Sequence, residues 1–225
     1  MTIHCAVMYF DPETETVGYL LGSDSRGVAR IFVGDKPVGN GRVFRVDKSF
    51  GGENSVGFFR GRLLSETDDP EGTFSRDVKT LDNVFEDIGE GADYSHVPVL
   101  SQAEKYVLLV GKRVEESVEL YTVSNLREEN PHTAEQLHRI TPDFFETERE
   151  SLVWFAPHSK DYMVAGIEKR LKPERAQKLI MGLLTDPIVA NFSGADYEPG
   201  PPIIYKIGPD GITQLNGVKV PDGPH

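Results

Sequence analysis

Residues 3–10 read Ile3-His4-Cys5-Ala6-Val7-Met8-Tyr9-Phe10, and residues 17–22 read Val17-Gly18-Tyr19-Leu20-Leu21-Gly22. Both runs are apolar and β-rich, and a polar turn, Asp11 to Thr16, separates them, which predicts a β-hairpin. In the first run both alternating sets are apolar: Ile3, Cys5, Val7 and Tyr9 on one face, Ala6, Met8 and Phe10 on the other. A strand of that kind belongs inside a layered structure, covered on both sides. The hairpin also brings the chain back to its start, so Thr2 is expected beside the end of the second strand, where Asp24 and Arg26 emerge.

Outward from this hairpin the pattern stays β-rich. Residues 28–33 predict a third strand, closed by the turn-rich stretch 34–41. Residues 42–46 and 55–59 predict a second hairpin around Gly51-Gly52-Glu53-Asn54, and 106–110 with 118–123 a third. Residues 65–73 read as loop. From Thr73 the apolar positions Phe74, Val78, Leu81, Val84, Phe85 and Ile88 recur every three to four residues, which predicts a helix ending near Gly89. A short helix is expected over Thr133 to Ile140, a strand over 151–156, and helices over Asp161 to Leu171 and Pro173 to Leu184. The last helix has the cleanest apolar stripe, at Ala176, Leu179, Ile180, Leu183 and Leu184. A closing hairpin turns at Gly208-Pro209-Asp210-Gly211. Hairpins interrupted by blocks of helix indicate an α+β domain rather than a βαβ alternation, and no repeat or linker divides residues 1–225.

Composition narrows the function. With 36 acidic and 24 basic residues the net charge is −12, which disfavours nucleic acid and anionic membrane as partners. One cysteine, Cys5, excludes an internal disulfide and fits a reducing cytosol, so a cytoplasmic location is expected. No run reaches the roughly 18 apolar residues of a membrane helix. The six histidines show no paired metal-ligand spacing, and the glycine-rich 34–41 stretch lacks the order of a phosphate loop, so neither a metal nor a cofactor is expected.

The most specific chemical pattern is Thr2-Ile3 leading into a strand, with Gly22-Ser23-Asp24-Ser25-Arg26-Gly27 downstream. The second segment is close to the G-A-D-S-R-A/T motif of the proteasome β-subunit branch of the N-terminal-nucleophile hydrolases, and the chain resembles that family over most of its length. Asn40 to Asp47 resembles the family's segment around its active-site lysine. Tyr106 to Val110 with Leu120-Tyr121 is similar to its central hairpin. Ala176 to Gly194 and Ile203 to Leu215 are similar to its last helix, its D-x-x-S-G turn and its closing hairpin. The resemblance implies a four-layer α-β-β-α sandwich, two antiparallel sheets between helix layers. It also implies a peptide or protein substrate, and a homo-oligomer or ring assembly.

The chemistry follows from one residue. Once Met1 is removed, Thr2 carries a hydroxyl and an α-amine whose pKa is roughly 7.7–8.0, so nucleophile and base coincide. By resemblance Asp24 takes the place of the family's aspartate and Arg26 of its arginine. At the lysine position stands Arg42, which supplies positive charge but releases no proton. Lys36, in the preceding turn, is the alternative. Ser159, in Ala156-Pro157-His158-Ser159, replaces the serine of the family's G-S-G-S turn. Asp186 with Ser193 forms a stretched version of the D-x-x-S-G turn. The leading expectation is an amide hydrolase acting through an acyl-enzyme on Thr2. The departures at Arg42 and Ala156–Ser159 keep open a catalytically inactive structural subunit. An amidase or amine transferase on the same scaffold is a third reading.

Overall fold

The predicted hairpin is present as β1 (His4–Asp11) and β2 (Thr16–Asp24), paired antiparallel from His4 opposite Ser23 to Asp11 opposite Thr16. The computed structural model describes residues 3–33, 36–63, 69–86, 94, 97–125, 138–139, 151–156, 163–167, 170–185 and 200–216. After β2 come β3 (Arg26–Val33), β4 (Lys36–Arg45), β5 (Ser49–Gly51), β6 (Ser55–Leu63), α1 (Pro70–Lys79) and α2 (Pro98–Gln102). The chain continues with β7 (Ala103–Val114), β8 (Ser117–Ser124), β9 (His138–Arg139), β10 (Ser151–Ala156) and β11 (Met163–Ile167). It ends in α3 (Pro173–Thr185), β12 (Pro202–Gly208) and β13 (Gly211–Asn216).

Two antiparallel sheets carry the fold, one in the order β11-β10-β1-β2-β12-β13 and the other β5-β6-β7-β8-β9. Their facing sides share a core that includes Ala6, Met8, Tyr19, Leu21, Phe58, Leu109, Leu120 and Ile207. The other face of β1, with Ile3, Cys5, Val7 and Tyr9, packs against Ala176, Ile180 and Leu184 of α3. The alternation expected for β1 is therefore borne out, and each large apolar side chain buried there contributes about 1.5–3 kcal/mol. A third cluster, Phe59, Leu108, Val110 and Val123 with Val78, Leu81 and Phe85, joins the second sheet to the segment around α1.

The four-layer sandwich with helix layers is not what forms. The molecule is mostly strand in antiparallel sheets, and its three helices among the described residues are single short pieces. The helix expected over Asp161 to Leu171 is strand β11, paired with β10 from Ser151 opposite Ile167 to Phe155 opposite Met163. A run of β-branched and small residues there satisfies period two as well as a helical period. The helix expected from Thr73 to Gly89 starts earlier and stops at Lys79. Asp69 accepts a hydrogen bond from Gly72 N, Pro70 occupies the first turn, and beyond Lys79 single three-residue turns such as Leu81 N to Val78 O replace it.

Pairing differs as well. Residues 42–45 belong to β4, which pairs with β3 as a separate two-stranded ribbon, while β6 pairs with β5 and β7. Of the short helix expected over Thr133 to Ile140, only His138 and Arg139 are described, and they form β9 against β8.

Candidate functional site

Asp24 ends β2 and is fully buried. Its Oδ1 accepts hydrogen bonds from the Ile3 backbone N at 2.9 Å and from Lys48 Nζ at 3.1 Å, and its Oδ2 accepts from Arg26 N at 3.1 Å. Asp24 N in turn donates to Ile3 O at 3.3 Å, and Ser23 Oγ donates to Asp24 O at 2.9 Å. The carboxylate is therefore fixed by two backbone amides and one ammonium. One of those amides is the peptide nitrogen joined covalently to Thr2.

Lys48 reaches this position because of the turn that carries it. The ribbon ends at Arg45, and Val46 N donates to Ser25 O at 2.8 Å, which holds the chain against the end of β2. Asp47 Oδ1 then accepts from Ser49 N at 2.8 Å, a local Asx turn into β5. Between these anchors Lys48 is directed inward, its O accepting from Phe59 N at 2.9 Å, and its side chain is 2% exposed. Burial lowers the Lys48 pKa below its ordinary value. The Asp24 charge and hydrogen bond oppose that fall, while Arg60 and Arg26 add to it.

His4 lies in the same region, fully buried, its ring 5.9 Å from that of Phe58. Burial, then the charges of Arg60 and Lys48, hold its pKa well below 6.5, against partial relief from the Phe59 backbone. Neither ring nitrogen has a hydrogen bond of ordinary geometry among the described residues, and the buried Ser25 hydroxyl likewise has none. Next to Lys48, Ser49 Oγ and Tyr205 OH lie 3.2 Å apart at a cleft of about 330 Å³, bounded also by Lys79, Asp82, Asn83 and Ile212.

Of the residues expected at the site, the structure brings Asp24 and Arg26 together, the latter through its backbone amide. Arg42 stands on β4 opposite Ala29, exposed to solvent, and Lys36 is exposed at the start of the same strand. Thr2, Ser159, Asp186 and Ser193 lie outside the described residues. Lys48 is the residue that sequence reasoning missed. A signal was available: Val46-Asp47-Lys48-Ser49-Phe50 sets a lysine between two apolar residues and just after an Asx-turn aspartate.

A buried lysine with a lowered pKa gives up its proton more readily than a solvated one, and while protonated it presents undiluted charge in a low-dielectric site. Among the described residues no group of His, Cys, Asp and Glu could hold a metal ion. No described helix is long and apolar enough to cross a membrane. No model of a known protein family matches the chain, and comparison with curated proteins gives no significant match.

Proposed function

We propose that the chain is an N-terminal threonine hydrolase of amide bonds, acting on peptides through an acyl-enzyme on Thr2 after removal of Met1. The observation that carries this reading is the buried Lys48–Asp24 pair, in which the same carboxylate oxygen that takes the lysine also takes the amide joined to Thr2. The resemblance calls for a lysine near the aspartate; Lys48 pairs with Asp24, whereas Arg42 lies on the exposed ribbon.

In this mechanism the Thr2 hydroxyl oxygen bonds to the substrate carbonyl carbon, the carbonyl π pair moves onto oxygen, and the hydroxyl proton passes to the Thr2 α-amine. Collapse breaks the C–N bond, the amine returns the proton to the departing nitrogen, and an ester remains on Thr2. Water repeats the sequence and releases the acid. Base assistance of this kind is worth roughly 10²- to 10⁴-fold. In this reading the positive charge of Lys48 disfavours protonation of the Thr2 α-amine and so favours its free-base form. Asp24 holds Lys48 and the backbone leading to Thr2 in one frame.

The test is intact mass before and after incubation with a β-lactone that acylates N-terminal threonine. Loss of one methionine and a single stoichiometric adduct are expected in the wild type, with no adduct in Thr2→Ala. Lys48→Met should slow adduct formation by at least about 10²-fold, while Arg42→Ala, on the exposed ribbon, should leave the rate within a few-fold. A chain that keeps Met1 and takes no adduct would support an inactive structural subunit instead.

A further inference from the structure

The cleft beside Ser49 and Tyr205 takes no part in the chemistry above. It opens between the outer edge of β5 and the β12–β13 hairpin, and its volume of about 330 Å³ is at the small end of the range for ligand sites. Tyr205 stands opposite Leu21 of β2, three residues before Asp24, so the cleft lies about 10 Å along the strand from the acidic centre. The Phe58 ring touches both regions, 5.9 Å from the ring of His4 and 5.9 Å from that of Tyr205.

The polar wall of the cleft is built on β5. An edge strand turns a row of amide and carbonyl groups outward, and here side chains from the end of α1 and the turn after it take them up. Lys79 Nζ donates to Ser49 O at 3.0 Å, and Asp82 Oδ1 accepts from Gly51 N at 2.8 Å. Asn83 N donates to Gly51 O at 3.0 Å and completes the seam. These bonds fix where the two charges stand without exhausting them. An ammonium has three donors and a carboxylate about four acceptor sites, so Lys79 and Asp82 each keep capacity for a further partner. Among the described residues no ion pair joins the two. Their anchors, Ser49 and Gly51, are two residues apart on one strand, about 7 Å by its rise.

The opposite wall is uncharged. Ile212 and Tyr205 are half-buried there, and the Tyr205 hydroxyl is held by Ser49 Oγ at 3.2 Å. An ammonium and a carboxylate held apart on one wall, with apolar surface facing them, suit a ligand that carries opposite charges at its two ends and an apolar body. An α-amino acid has both charges on a single carbon. A dipeptide has them two residues apart, the spacing of the anchors on β5.

We propose that this cleft is a non-catalytic binding site for dipeptides with apolar side chains. The peptide carboxylate meets Lys79, its α-ammonium meets Asp82, and its side chains lie against Tyr205 and Ile212. Binding there does not require Thr2.

Isothermal titration calorimetry of the full chain with leucyl-leucine tests this, in the wild type and in Thr2→Ala, where turnover through Thr2 cannot occur. One-to-one binding with a Kd at or below about 1 mM is expected in both. The N-acetyl dipeptide, the dipeptide amide and free leucine should each bind at least about tenfold more weakly, because each lacks a charge-assisted contact or the span to make both. Lys79→Gln keeps a donor for Ser49 O and should bind the amide as well as the free dipeptide. Asp82→Asn keeps an oxygen for Gly51 N and should bind the N-acetyl form as well as the free one. Both readouts are ratios within one variant, so a general loss of affinity or stability does not imitate them. No binding at about 1 mM, binding that is lost in Thr2→Ala, blocked peptides or leucine that bind the wild type as tightly as the dipeptide, or variants that discriminate as the wild type does, would each overturn the proposal.

Discussion

At the scale of single residues the molecule concentrates its electrostatic cost in one place. Asp24 and Lys48 are both out of water, and removing one partner of such a pair leaves the other uncompensated, which costs about 3–5 kcal/mol. His4, facing Arg60 and Lys48 from the same region, gives the site a pH signature. The folded chain keeps this imidazole neutral while the unfolded chain takes up a proton below about 6.5. The stability involved is therefore present above that pH and is lost as pH falls, at up to about 1.4 kcal/mol per pH unit, until the folded imidazole itself charges. Urea titrations between pH 7 and 5 should show this slope in the wild type, and His4→Leu should flatten it by one proton. An unchanged slope in the variant would assign the acid sensitivity to other groups.

At the scale of elements, α3 is keyed to β2 at one glycine. A Cβ on Gly22 would meet Leu184 Cδ1 at 2.6 Å and Ile180 Cδ1 at 3.0 Å. Gly22→Val should cost about 1–3 kcal/mol by overpacking, and Ile180→Ala about 2–5 kcal/mol by leaving a cavity, both read from denaturation midpoints. Combined, the two changes should cost less than their sum, since the valine occupies space that the isoleucine vacates. These contacts explain what was legible in advance. The stripe of α3 is a period-3.6 pattern that only a helix can use, and β1 is a short apolar run bounded by a polar turn, so both stand as read. Met163–Ile167 lacked such a bias and was misread as helix. Lys48 was hidden for a different reason: its burial is decided by Asp47 and by the long ribbon that precedes it, and the resemblance over Asn40 to Asp47 puts Arg42, inside that ribbon, at the lysine position. Asp24 was legible because its neighbours Ser23, Ser25 and Arg26 form a local motif.

At the scale of the whole molecule, Cys5 offers a single internal probe. It is buried against α3 and its thiol is pushed far above the ordinary range by burial, so it reacts only from an opened state. Its labelling rate by a disulfide reagent should rise with urea in parallel with loss of circular dichroism, and Ile180→Ala should accelerate it. Fast labelling of the native wild type would contradict the packing of α3 on β1. The strand order has one more consequence. β2 lies between β1 and β12, and Asp24 sits directly opposite Pro202, so one flank of the acidic centre is supplied by residues that leave the ribosome long after Asp24 does. Until they arrive, the Asp24 end of β2 has an open edge and its carboxylate is exposed to water, where an ammonium partner is screened. A nascent chain therefore carries Asp24 in an unfinished setting until the segment around Pro202 has been made.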